Sequence, residues 1–481
     1  LRARKSKFTI ICPLIEKKTY FIAEAIEERD MKLSEWNGEF SGIDYVSLIL
    51  IDIDGKMRAV SLPASYASET VLKKGIGFDA SNFGFAKAHS SDMVASPDLE
   101  TAFVEQKDGF DILHAFCDVR TMNGEEFAQY PRTVIRAAHQ MLRSSGIGDE
   151  VRMLAELEFY VFEEVRYSTT ADHSYYFVES SEGIGEEFGD SPRVAPSRGY
   201  HRMAPEDKYQ LLRNRAAKAM IDIGIPVKYH HHEVGTAQLE IELDFVAMTQ
   251  AADMVSLAKW ILRNEAEELG LKVTFMPKPM YGVAGSGLHI HQFIEQNGVS
   301  VFPGNELYGL SEKGLSYTAG ILGHALTGSL LAFSNPSTNS YRRLVPGYEA
   351  PVSATFARGS RVAAVRIPGY LNKEETRIEF RTGDATANVY YFFAAMVLAG
   401  LDGIQHHCDP VALGFSKEGL DPKHTLPTGL YHALMGLRQD NEYLAPAFPK
   451  DLIESWIAHK EKEAEYVYNA PVPQEYELYF D

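Results

Sequence analysis

The sequence predicts an α+β protein of two domains. Length is the first reason, since 481 residues are more than one compact core usually holds. The second is a hairpin signal near the start: YVSLILID and MRAVSLP flank Ile53-Asp54-Gly55-Lys56, and Asp-Gly between β-rich runs marks a tight turn. The third is the rest of the chain, where segments of helical period are interleaved with strands whose polar residues recur at every second position. Residues 1–120 read as the small domain and 121–481 as the large one.

Taken in order, residues 1–40 read as mixed helix, and the hairpin covers 45–62. GIGFDASNFGFAKAHSSDMVASPD (75–98) is rich in Gly, Ser and Asp and reads as loop, followed by a short β-rich run ending near Cys117. Arg132–Ser145 has helical spacing, with Val134, Ala138 and Met141 on one face and Gly146 as its stop. Val151–Phe162 is a strand, and the acidic, Ser- and Gly-bearing stretch 165–195 reads as a long loop. Helices are expected at Glu206–Ile223 and Thr249–Leu269, and a helix buried nearly all round at Asn388–Ile404.

The net charge of −19 opposes nucleic acid or an anionic membrane as main partner. Cys12, Cys117 and Cys408 stand far apart with no metal-type spacing, which suits a reducing cytoplasm. No stretch is apolar enough to span a bilayer. LRARKSKFTI lacks the apolar core of a signal peptide, and a start at Leu1 is what an edited or processed end would give.

Five stretches carry chemistry. In KYHHHEVGTAQLEIELDF (228–245), Gln238, Glu240 and Glu242 share one strand face, and Glu233, Glu240 and one of His230–His232 are candidate ligands. Ala155-Glu156-Leu157-Glu158-Phe159 puts two carboxylates on one side, where like charges repel unless a cation joins them. Gly285-Ser286-Gly287-Leu288-His289-Ile290-His291 repeats the i, i+2 pattern with imidazoles, behind glycines that allow close backbone approach. Arg377-Ile378-Glu379-Phe380-Arg381, with Arg361 and Arg366 upstream, gathers arginines around an acid, a pattern suited to polyphosphate and metal. NPSTNSYRRLVPGYEA (335–350) reads as a mobile cover or as a turn-rich connection. Singly, each also fits an exposed strand face, a solvated loop or a surface ion-pair ladder. Together they imply one sheet face lined with Glu, His and Arg. Oxygen ligands with some imidazole and no thiolate suit Mg²⁺ or Mn²⁺, and arginines beside such ions point to nucleotide phosphoryl chemistry. There is no G-x-x-x-x-G-K-[ST].

These stretches, with GFDAS, SSDMVASPD, GYHRMAPED, FMPKPMYG, RVAAVRIP and AAMVLAGLDGI, follow one another in an order that resembles the glutamine synthetase family, type I, from about residue 40 onward. The resemblance implies an N-terminal β-grasp domain, a C-terminal catalytic domain built on a curved antiparallel sheet flanked by helices, and a homododecamer whose active sites are shared between neighbours. It implies ATP with Mg²⁺ or Mn²⁺, two or more ions per site, and glutamate and ammonium as substrates. Glu156, His289 and Glu379 resemble nucleotide-side metal ligands, and Glu158, Glu233 and Glu240 substrate-side ones. Arg343 resembles the clamp on the α-carboxylate, Gly285 the contact to the amino group, and Glu349 the flap acid. Arg361, Arg366 and Arg377 resemble phosphate-facing arginines, Arg381 the arginine at the reacting carboxyl, and Phe245 and His291 nucleotide contacts. Asp79 resembles the residue lent by a neighbouring subunit to deprotonate ammonium, and Tyr200 a wall of that site.

The chain departs from the family pattern at Ala284 (usually Asn), Phe293 (usually Ser), Asn82 (usually Ser) and in RTGDATAN (381–388). His424-Thr425 precede Leu426-Pro427, so no adenylylation is expected there. The implied activity is an ATP-dependent glutamate–ammonia ligase. Two other readings stand beside it: a γ-glutamyl ligase for a polyamine or alkylamine, which the departures would favour, and a catalytically silent homologue, which lost metal ligands would favour.

Overall fold

The computed structural model describes residues 7–10, 42–86, 91–184, 194–416 and 422–481. The chain divides into two compact units, 1–133 with 218–226, and 134–217 with 227–481.

The first unit holds a sheet of β1 (Lys7–Ile10), β2 (Tyr45–Ile51), β3 (Met57–Pro63), β4 (Ile76–Asp79), β5 (Asp92–Pro97), β6 (Phe103–Lys107) and β7 (Phe110–Thr121). Its main path runs β1-β6-β7-β2-β3, with β2 and β7 parallel and the other pairs antiparallel. The Asp-Gly hairpin is present: Asp52 Oδ1 accepts from Asp54 N and Lys56 N, and Gly55 stands at φ +77°. Of the helical region expected over 1–40, the described part is strand β1; the rest, with Cys12, lies outside the described residues.

Two loop expectations are corrected. Residues 76–79 and 92–97 are strands, paired with each other and, through β5, with β7. Composition misled because the ladder needs only backbone groups. Gly75, at φ +79°, is where the edge closes: a Cβ there would lie 2.6 Å from the Ala95 carbonyl. Residues 164–179 form a hairpin of β9 (Glu164–Thr169) and β10 (Ser174–Glu179), with Tyr167, Tyr175 and Tyr176 exposed on it. The tyrosines and valines of this stretch favour strand more than its charge opposes it.

The second unit is built on β8 (Glu150–Phe162), β11 (Val227–His232), β12 (Gln238–Leu243), β13 (Val246–Ala247), β14 (Lys272–Thr274), β15 (Leu288–Gln296), β16 (Val299–Ser300), β17 (Phe356–Arg358), β18 (Val365–Ile367) and β19 (Ile378–Phe380). The path is β11-β12-β8-β15-β19-β18-β17, antiparallel except for a parallel β17/β18 pair at one end. Helices occupy Pro131–Ser145, Gln210–Asp222, Met248–Glu268, Glu312–Thr327 and Val389–Gln405. The second of these starts later than expected, because Asp207 is drawn into a buried pair with Arg213 at 2.6 Å. Among the described residues, no helix is long and apolar enough to cross a membrane.

One face of this sheet packs on helix Val389–Gln405. Phe380 meets Phe392, and buried Gln292 is held by the Tyr317 hydroxyl at 2.7 Å and the Met396 sulfur. Behind it, helices Glu312–Thr327 and Val389–Gln405 cross in backbone contact. A Cβ on Gly320 would lie 2.1 Å from Ala399 O, and one on Gly403 2.1 Å from Ser316 O. We expect Gly403→Ala to cost about 3 kcal/mol, read by thermal or urea unfolding. Gly323→Ala, with nothing within 4 Å of the new methyl, is expected to stabilise the same helix by about 0.5 kcal/mol.

Candidate active site

The opposite face of the sheet carries the charges. Strand register sets them side by side: His231 opposes Glu240, and Glu240 opposes Glu158; Glu242 opposes Glu156, and Glu156 opposes His289; His291 opposes Glu379, and Glu379 opposes Arg366. Every one of these side chains points the same way because strand neighbours alternate and cross-strand partners do not. Strand β12 is buried at all six positions, so its glutamates face an interior.

Two groups of donors converge enough to hold an ion. Glu156, His289 and Glu379 offer atoms within 4.8 Å of one another, as do His231, Glu233 and Glu240. A third group, Glu156, Glu240 and Glu242, bridges them. The His run therefore contributes His231, which the sequence left open among three. Glu158 stands in the row with Glu240, but its Oε2 accepts from Gly287 N at 2.8 Å and lies 3.4 Å from Gln238 Nε2.

Electrostatics distinguish the two ends. Burial raises Glu240 well above the carboxylate range, with Glu156 and Glu233 adding to it; burial and Glu158 push Glu233 up to about 7. Burial also works against Glu379, yet the Arg381 charge outweighs it and holds the carboxyl at about 2. For Glu156 burial is outweighed by His291 and His289, which contact its two oxygens at 2.8 and 2.9 Å. Buried Glu242 is paired with Lys228 at 2.5 Å through Oε1, while its Oε2 has no hydrogen-bond partner among the described residues. Buried carboxylates that repel, with one oxygen orphaned, fit hard divalent cations.

Arginines stand beside these carboxylates and imidazoles. Arg366 and Arg381 both donate to Glu379, and buried Arg366 keeps Nε unpartnered among the described residues. Arg377 Nε donates to His291 Nδ1 at 3.3 Å, and its guanidinium lies 5.3 Å from the Phe245 ring centroid. Phe293, at the departure from the family pattern, packs against Phe245 at 5.1 Å. Arg343 is buried, gripping the carbonyls of Thr382 and Arg381 at 2.8 and 3.1 Å and His289 Nε2 at 3.1 Å. Arg361 lies 5.9 Å from the Tyr200 ring centroid, and its carbonyl accepts from Arg381 Nε. Glu349 is exposed and stands at φ +56°, in the left-handed region, as do seven other non-glycine residues among those described. Gly285 and Gly287 are there for closeness: a Cβ on either would lie 2.6 or 2.4 Å from an Arg343 side-chain atom.

Asp79 belongs to the first unit. It caps the turn Ala80–Phe83, and Asn82 Nδ2 donates to its Oδ2 at 2.8 Å. Ser81, then Ser91, keep its carboxyl below the usual range. Ala284 offers its carbonyl, which accepts from the Tyr160 hydroxyl at 2.7 Å.

Some participants escaped the sequence reading. Glu182 and His232 form a fully buried pair at 2.8 Å that fixes the backbone before Glu233. His232 belongs to the His run already singled out, but Glu182 lies fifty residues away in a stretch read as loop, and no local pattern announces it. Gln238, which donates to Gly285 O at 3.0 Å, was visible as the third polar residue of its strand face.

Comparison with known proteins places this geometry. The family model described as Glutamine synthetase, catalytic domain matches residues 128–479, and Glutamine synthetase, beta-Grasp domain matches 42–122. A glutamine synthetase of Nostoc sp. is 37% identical over 91% of this chain and 97% of its own length, and one of Mycolicibacterium smegmatis 39% identical over 91% and 96%. A cryo-EM structure of Plasmodium falciparum glutamine synthetase superposes with a TM-score of 0.85 at 25% identity, covering 98% of this chain and all of its own. A structure described as apo GmaS without ligand gives 0.75 at 25% identity, covering 92% and 97%. The fold is thus α+β: a β-grasp domain and a curved sheet with flanking helices.

Two measurements follow from the geometry. Gly287→Ala should weaken Mn²⁺ binding by roughly ten- to a hundred-fold in calorimetry, because the methyl displaces both His289 and Arg343. Glu233 and Glu240 have folded pKa values above their unfolded ones, so protonation stabilises the metal-free fold at low pH. That contribution is lost as pH rises toward and through about 7. Added Mn²⁺ should therefore raise Tm more at pH 8 than at pH 6; an equal rise would refute the assignment.

Proposed function

The chain belongs to the glutamine synthetase family, and on that premise we infer that it joins ammonia to the side-chain carboxylate of glutamate, driven by ATP. The observation that carries this is the single sheet face on which carboxylates, imidazoles and arginines stand in register. The relatives named glutamine synthetase favour ammonia, and the polyamine or alkylamine reading is not favoured. Nor is a silent homologue, since the donor groups remain assembled.

We propose the following division of work, with 1–120 as the β-grasp domain and 121–481 as the catalytic domain. Glu156, His289 and Glu379 would hold the nucleotide-side ion, and Glu158, Glu233 and Glu240, with His231 beside them, the substrate-side ion. Such ions, Mg²⁺ or Mn²⁺, neutralise the phosphates and the charge that develops in transfer. Arg343 receives the α-carboxylate of glutamate, and the Gly285 backbone its amino group. Arg361, Arg366 and Arg377 face the phosphates, Phe245 and His291 the nucleotide. Arg381 steadies the reacting carboxyl as it becomes a γ-glutamyl phosphate, preorganised by its bond to Glu379. Asp79, kept ionised by its serines, takes a proton from ammonium beside Tyr200. Glu349 closes over the acyl phosphate and keeps water away. The resemblance also supports a cytoplasmic homododecamer in which Asp79 serves the site of a neighbouring copy.

Phosphate release from ATP, glutamate and Mg²⁺ tests this, with ammonium set against putrescine and methylamine. We expect turnover with ammonium, and a loss of roughly a hundred-fold or more in Asp79→Ala. Release with an amine but not with ammonium would overturn the acceptor.

A further inference from the structure

Lys278 lies in FMPKPM (275–280), a stretch with no part in the mechanism above. It is 9% exposed, and its ammonium sits 3.8 Å from the centroid of the Tyr348 ring while donating to the Val283 carbonyl. Its backbone is held at both ends by one side chain: Lys278 N donates to Asn339 Oδ1 at 2.7 Å, and Lys278 O accepts from Asn339 Nδ2 at 3.1 Å. Asn339 begins the turn Ser340–Arg343, and the preceding Pro277 carbonyl accepts from Ser286 N at 2.8 Å. One residue is thus tied to the turn that carries Arg343, to the loop that carries Gly285, and to the residue before Glu349.

Burial, with the Arg343 charge second, brings the Lys278 ammonium down to about 8. A buried cation beside another cation needs a partner, and here a carbonyl and a ring face supply it. Tyr348 is half-buried between two exposed neighbours, Gly347 and Glu349, so this ring is the point where that segment is anchored.

We propose that Lys278 is a positioning residue, a latch that holds Tyr348 and so sets where Glu349 stands over the acyl phosphate. The proposal rests on the reading of Glu349 as flap acid. A loosened latch admits water, which attacks the γ-carbonyl carbon in place of ammonia; the bond to the phosphate oxygen breaks, returning glutamate and free phosphate.

The experiment measures phosphate released per glutamine formed, with Tm recorded for each variant. Lys278→Met and Tyr348→Leu should each raise the ratio roughly tenfold. Tyr348→Phe keeps the ring face and should match wild type, and the double Lys278→Met/Tyr348→Leu should be no worse than either alone. Should Lys278→Met fold poorly, the Leu and Phe variants of Tyr348 decide between them. Unchanged coupling in Tyr348→Leu, equal damage from Tyr348→Phe, or additive effects in the double would each overturn the latch. Glu349→Ala separates the two ideas: tight coupling there defeats the flap reading and the latch with it, whereas uncoupling there with a coupled Lys278→Met defeats the latch alone.

Discussion

Repulsion between carboxylates confined to one buried sheet face governs this structure. Glu156, Glu158, Glu240, Glu242 and Glu379 stand on three strands, β12, β8 and β19, with β15 and its two histidines between the last two, in rows that register makes unavoidable. An isolated ionised carboxyl is not tolerated in such a place without compensation. The chain compensates part of the charge itself, through Arg366 and Arg381 at Glu379, the two histidines at Glu156, and Lys228 at Glu242. It leaves Glu233 and Glu240 uncompensated, and their raised proton affinity records the deficit. A protein built only for stability would have no reason to keep that deficit.

The remainder of the second unit holds this face still. Its reverse side is apolar apart from Gln292 and packs on two helices so close that glycines replace side chains at their crossing. Buried polar links such as Tyr317 to Gln292 and His232 to Glu182 fix individual strands from behind or from the side. Rigid donors aimed at a fixed point stabilise developing charge without reorganising.

Much of this was legible in the sequence because strand period is simple. Glu156 with Glu158, Glu240 with Glu242, and His289 with His291 declare their common side by spacing alone, and the glycines before His289 declare close approach. What was not legible falls into two kinds. Strands β4, β5, β9 and β10 are held by ladders indifferent to side-chain polarity, so composition read them as loop. Partnerships such as Lys278 with Tyr348, or Glu182 with His232, join residues about fifty or more positions apart, and spacing says nothing about them. The sequence marked Asn82 as a departure beside Asp79 but could not say that its amide is one of the groups holding that carboxylate.

The alternation that makes the site also restricts how such a chain can diverge. Substitution leaves the direction of every other side chain intact. Insertion or deletion of one residue inside β8, β12 or β15 would turn all later side chains of that strand over, carrying its charged residues to the apolar face and its leucines and isoleucines to the charged one. Lineages can therefore exchange residues freely there but not lengths. Gaps between distant relatives should gather in surface segments such as the β9–β10 hairpin, and these three strands should align without interruption.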